Sequence, residues 1–259
     1  MNRLIKVKTL VYLIGLSVLW MNTSCVSSKK IVYFQEMEGV AINDSIQQYE
    51  PQLQRGDILK IVVSTVDPEA AIPFNLYETP MVGTTMSNAK PLSYLVDSDG
   101  AINFPVLGTL KVAGLTTKEL TLDLEKKLSD YIKKPTIYIR LENFKVSVLG
   151  EVKSPGAISV LNERITILEA ISMAGDLNIQ GERANITLIR EQEGSRVFIP
   201  IDLTSRELFN SPYFYLAQND VLYVQPNKAR INSSMVGPNT SIVISAISTL
   251  ISIIAIVTR

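Results

Sequence analysis

The sequence predicts an α+β fold: two small mixed modules in series, closed by a C-terminal transmembrane α-helix. Three observations carry this reading. Short alternating strands separated by Gly- and Pro-containing turns run from Leu53 to Val224, two helix starts share one capping pattern, and an uncharged apolar run fills 241–258. The 259 residues are 46% hydrophobic, enough for packed cores, with 25 basic and 25 acidic side chains. That balance argues against nucleic-acid binding, which needs an excess of Lys and Arg. The chain has no histidine, which excludes Ser-His-Asp and Cys-His catalysis and His-ligated zinc. A single cysteine excludes an internal disulfide, a CxxC redox motif or a Cys-based zinc site. No cofactor and no metal is expected.

Residues 1–24 read as a secretory signal: Arg3, Lys6 and Lys8 precede an apolar run, 9–20, too short to span a bilayer comfortably. Cys25 follows Asn22-Thr23-Ser24. Cleavage before it leaves a thiol that a diacylglyceryl group can occupy, an acylated amino terminus adds a further chain, and two or more chains hold a protein stably to a membrane. The segment resembles a bacterial lipoprotein signal, with Asn22 standing where an aliphatic residue is usual. The plainer alternative is an ordinary signal or uncleaved anchor that contains a cysteine. Removal of 1–24 takes three basic residues with it and leaves a net charge of −3. A polar lead, 25–50, follows.

The first module is expected over 51–142. Leu53-Gln54-Arg55-Gly56-Asp57 turns into a half-buried strand with Ile58, Lys60 and Val62 as its alternating residues. The stretch 67–91 has no period and holds Pro68, Pro73, Pro80 and Pro91, so it reads as a long loop of functional or mobile character. Tyr94-Leu95-Val96-Asp97, the turn Ser98-Asp99-Gly100 and Ala101-Ile102-Asn103-Phe104-Pro105 predict a hairpin, and Leu110 to Ala113 another short strand. Thr116 and Glu119 form a capping box, with Leu115 and Leu120 at staple positions. Leu120, Leu124, Leu128 and Ile132 then keep one helix face apolar until Pro135, before a strand over 136–141.

The second module is expected over 143–226. Val146 to Val152 and Ala157 to Val160 are strands about the turn Ser154-Pro155-Gly156. Thr166 and Glu169 repeat the capping box, and Gly175 supplies the helix stop. Ile186 to Arg190 and Val197 to Ile201 form a hairpin around Glu193-Gly194, and Asp220 to Val224 closes the module. Two hairpins around one short helix describe an α+β module of the β-grasp kind.

An Asn- and Ser-rich connector, 227–240, leads to the last segment. At ~1.5 Å per residue, 241–258 forms a helix of roughly 27 Å, near the thickness of a bilayer's hydrocarbon layer. Ser241, Ser245, Ser248 and Ser252 recur at steps of four, three and four, with Thr249 beside them. At ~100° per residue they share one narrow face. Three readings compete for it: a single-pass anchor with serines bonded to their own helix, close helix–helix packing, or a ring of helices with serines facing a wet lumen and isoleucines facing lipid. The regular stripe raises the latter two.

The order and spacing of these pieces carry a resemblance. Leu53-Gln54-Arg55-Gly56-Asp57, Asp97-Ser98-Asp99-Gly100 with Phe104-Pro105-Val106-Leu107-Gly108, and Ala113-Gly114-Leu115-Thr116 resemble the outer-membrane polysaccharide export family. Val148-Leu149-Gly150-Glu151-Val152 with Pro155-Gly156 resembles its soluble-ligand-binding β-grasp module. The resemblance, from about Gln52 to Gln225, implies a polysaccharide export domain followed by a β-grasp domain. It implies an outer-membrane lipoprotein that assembles as a homo-oligomeric ring, with C-terminal helices forming the channel for capsular or extracellular polysaccharide. It also implies an inner-membrane polysaccharide copolymerase as partner. Better-studied members carry more β-grasp modules and a longer final helix, so this chain implies a shorter vestibule.

A second class of function is a periplasmic glycan-binding or adaptor lipoprotein whose last helix is only an anchor. An enzyme is the weakest option: Asp97 and Asp99 imitate a glycosidase pair, but they sit in a turn where acids serve the backbone. Arg55-Gly56-Asp57 spells a cell-adhesion tripeptide and is read here as the turn entering a strand.

Overall fold

A computed structural model describes residues 31–35, 49–77, 91–192, 194–235 and 240–257. The expected leader and Cys25 lie outside the described residues.

The first module is built on β1 (Ile58–Ser64), whose alternation sends Leu59, Ile61 and Val63 inward at no more than 3% exposure. The prolines after it do not leave a bare loop: Pro68 opens a one-turn helix, α1 (Pro68–Ala71), capped by the Asp67 carboxylate, and a 3-10 turn follows over Ile72–Phe74. Residues 78–90 lie outside the described part. The strands β2 (Tyr94–Leu95), β3 (Ala101–Phe104) and β4 (Gly108–Lys111) come next, then α2 (Thr117–Leu128) and β5 (Thr136–Leu141). The Thr116–Glu119 box closes in both directions, with the Glu119 N–H donating to Thr116 and the Thr116 N–H to Glu119. Leu120, Leu124 and Leu128 are fully buried against the sheet, each contributing on the order of 2 kcal/mol.

The expected hairpin around Asp97 is corrected. β2 pairs with β1 instead, giving the order β2-β1-β5, and β3 pairs with β4. Asp97 Oδ1 accepts from the N–H groups of Asp99 and Ala101, both at 2.9 Å, and Gly100 takes φ +74°. A Cβ on Gly100 would stand 2.6 Å from that of Ala113. With the Asp97 N–H donating to the Ala101 carbonyl at 2.9 Å and the Gly100 N–H to the Asp97 carbonyl at 3.0 Å, this tight corner carries the chain from one sheet to the next.

The second module comprises β6 (Lys145–Gly150), β7 (Gly156–Ser159), β8 (Ile165–Thr166), α3 (Ile167–Met173), β9 (Gly181–Gln192), β10 (Ser195–Ile201), β11 (Tyr215–Leu216) and β12 (Val221–Pro226). Its sheet runs β10-β9-β12-β6-β7. The hairpins β6–β7 and β9–β10 are joined by β12, parallel to β6 and antiparallel to β9. The Thr166–Glu169 box starts α3, which buries Ile167, Ala170 and Ile171.

Each module has its own core, and Leu141 packs against both. At the junction Asn143 accepts from the Ile58 N–H at 2.9 Å and donates to the Gly56 carbonyl at 3.0 Å. Gln218 donates to the Asn143 carbonyl and accepts from the Lys145 N–H, both at 2.8 Å. The expected connector is partly helical, with α4 at Lys228–Met235, and α5 follows at Thr240–Val257.

Candidate functional site

Helix α5 lies one residue earlier than expected and is uncharged throughout. Nine large aliphatic side chains on it, among them Ile242, Ile247, Leu250 and Ile256, are 52–75% exposed. So much exposed apolar surface on one helix calls for a lipid or protein cover. Among the described residues no helix is long and apolar enough to cross a membrane, so the expected transmembrane span is not shown. At 18 residues and ~1.5 Å each, α5 spans roughly 27 Å, short of a ~30 Å hydrocarbon core.

On the polar stripe, Ser248 Oγ donates to the Ile244 carbonyl at 2.8 Å, Thr249 Oγ1 to that of Ser245 at 2.8 Å, and Ser252 Oγ to that of Ser248 at 2.9 Å. These are the bonds that let a hydroxyl sit in an apolar helix. Ser241 belongs to the first turn of α5, and its side chain lies outside the described residues. Cys25, the expected lipidation site, does so as well.

The lead and the start of α4 meet one end of the second module. Tyr33 reaches Asp176, and Phe34 and Gln35 donate their N–H groups to the Leu203 and Thr204 carbonyls at 3.3 and 3.0 Å. Asn178 binds Glu151, which in turn holds Arg230 of α4 at 3.3 Å, and the Asn227 N–H donates to the Gln180 carbonyl at 2.7 Å.

Between the modules lies a cleft of ≈ 1000 Å³ that no sequence motif marked. One wall is aromatic: Tyr49 and Tyr215 stack at 4.9 Å with an interplanar angle of 7°, and the Arg164 guanidinium lies 5.5 Å over the Tyr215 ring. Burial raises the Tyr49 phenol above its ordinary pKa. Tyr138 on β5 and Leu161 stay 57% and 79% exposed, and Arg140 Nη2 ties the two sides by donating to the Leu161 carbonyl at 3.1 Å. These residues come from four distant stretches of chain, so local pattern carried no signal of their meeting.

Residues 45–142 match the family of polysaccharide biosynthesis/export proteins, and residues 144–224 match the SLBB domain. The EPS I polysaccharide export outer membrane protein EpsA of Ralstonia solanacearum is 26% identical over 214 residues, covering 78% of this chain and 56% of the relative. Its namesake in Ralstonia nicotianae is 29% identical over 198 residues, covering 71% and 50%. The chain thus spans about half the length of the curated relatives it matches.

Proposed function

Because this chain belongs to the polysaccharide export family, we propose that it is an outer-membrane lipoprotein whose copies form an oligomeric channel. The channel carries capsular or extracellular polysaccharide from the periplasm to the cell surface. The observation that carries this reading is the pairing of the export and SLBB matches with α5, whose exposed aliphatic residues need a cover that water does not provide. A ring of copies supplies it on the flanks and lipid supplies it outside. The outer membrane is thinner than an average bilayer, which narrows the shortfall of an 18-residue helix.

Ser241, Ser245, Ser248, Thr249 and Ser252 form the lumenal face. A hydroxyl that donates to its own helix keeps lone pairs for water, so the bonds made by Ser248, Thr249 and Ser252 still leave a hydrated, uncharged wall. Such a wall suits transport, because tight binding would stall a long polymer. Lipid on Cys25 holds the lead to the same membrane, and an inner-membrane polysaccharide copolymerase delivers the chain.

Those same three hydroxyl bonds also favour a second reading, in which α5 is only an anchor for a periplasmic glycan-binding or adaptor lipoprotein. The test is the size of the full chain extracted from membranes in mild detergent, together with surface polysaccharide in a deletion strain complemented by it. A defined oligomer with surface polymer restored supports the conduit. A monomer that binds glycan favours the adaptor, and unchanged surface polymer in the deletion strain overturns both.

A further inference from the structure

We propose that the cleft between the two modules is a contact site for a segment of sugar polymer, held weakly. The choice of a sugar rests on the export reading; the site itself rests on the lining. At ≈ 1000 Å³ the cleft is at the upper end of the range for small-ligand pockets, with room for several linked sugars. Its charges balance: Lys118, Arg140 and Arg164 stand against Glu50, Glu163 and Glu169. That disfavours a polyphosphate or other dense polyanion. The same charges disfavour a protein occupant, since interface cores are depleted in charged residues. Among the lining residues only Pro51, Leu141 and Leu161 are aliphatic or proline.

What remains is planar aromatic surface beside hydrogen-bonding groups, the mixture that an amphipathic sugar ring presents in complement. Tyr138 offers an open ring face from the export domain. Across the gap, the Tyr49–Tyr215 stack with Arg164 over it forms a wall already ordered before any ligand arrives, which lowers the cost of binding. Because the Arg140 bond to Leu161 crosses the cleft, a polymer lying there touches both modules at once.

The experiment uses the full chain in detergent and oligosaccharides of roughly four to eight sugars, a length suited to a cavity of this size, cut from the surface polysaccharide of the strain that carries it. Binding is read by ligand-observed NMR, with thermal unfolding as the check on folding. The proposal predicts dissociation constants on the order of 1 mM, weakened about tenfold by Tyr138→Ala and by Arg164→Ala. Phe198→Ala, on the exposed strand β10 outside the cleft lining, leaves binding unchanged. Wild-type binding that neither cleft substitution weakens overturns the proposal. No binding by wild type, in a strain whose export depends on the chain, overturns the cleft while the export reading stands. No binding together with no export role removes both.

Discussion

Tyr33 donates its phenolic hydroxyl to Asp176 Oδ1 at 2.5 Å, across 143 positions of sequence. Burial first, and then this bond, push Tyr33 up to about 12 against the opposing pull of Arg183. Burial alone would raise Asp176, but the Tyr33 hydroxyl and the Leu177 N–H, joined by Arg183 and Lys153, draw it below its ordinary value. With the Phe34 ring 5.0 Å from that of Phe209, the lead is strapped to the second module. Tyr33→Phe keeps the ring and removes the bond, so it should cost about 1.5 kcal/mol, the low end for a hydrogen bond to a charged group. Urea unfolding measures this, with an unchanged slope.

Gly150 sits where β6 lies beside β12. At its φ of +92°, a Cβ would stand 2.0 Å from the Val224 carbonyl oxygen, which is backbone and has no room to move. Gly150→Ala is therefore expected to destabilise the chain by about 3 kcal/mol, combining backbone strain with a forced shift of the sheet. Thermal unfolding should show a clear fall, whereas Gly156→Ala, with nothing within 4 Å of the added carbon, should not.

Asp57 enters β1 with one carboxylate oxygen accepting from the Gln54 N–H at 2.8 Å and the other without a partner among the described residues. Burial raises its pKa from 3.8 to about 6, the Gln54 bond opposing weakly. The folded chain therefore holds this proton more tightly than the unfolded one. The stability it contributes is complete below about 4 and is lost as pH rises through about 6. Asp57→Asn keeps an acceptor for Gln54 and removes the titration. Denaturant midpoints at pH 4, 5, 6 and 7 should fall with rising pH in wild type by more than in the variant.

Local chemistry explains what the sequence alone disclosed. Both capping boxes form as read because Thr116 with Glu119, and Thr166 with Glu169, need only each other and one turn of backbone. The Asp97 turn does not decide its own pairing, because the turn is local while the choice of strand partner is not: β2 pairs with β1, some 36 positions earlier, in the register Leu59↔Tyr94 and Ile58↔Leu95. Helix α4 appeared in a stretch whose Asn and Ser suggested only a connector. The cleft was invisible for the same reason as the strand partner, since Tyr49, Tyr138, Arg164 and Tyr215 are neighbours only after folding.

Replacing Ser245 and Ser248 together by leucine should abolish surface polysaccharide while the protein remains expressed and membrane-bound. The substitution removes two hydroxyls from the proposed wetted face of α5 and adds bulk to it. Quantitative staining of surface polymer, beside an immunoblot of the membrane fraction, checks this. Loss of the oligomer with loss of export assigns these serines to helix packing, and normal polymer in the double variant removes them from the lumen.

The central claim is that copies of α5 open a path through the outer membrane. Its most direct test is an epitope tag after Arg259, probed by antibody on intact cells beside a periplasmic control protein. The conduit predicts labelling of intact cells, because the carboxy terminus emerges outside. Labelling seen only after permeabilisation would contradict it and leave the chain as a periplasmic adaptor.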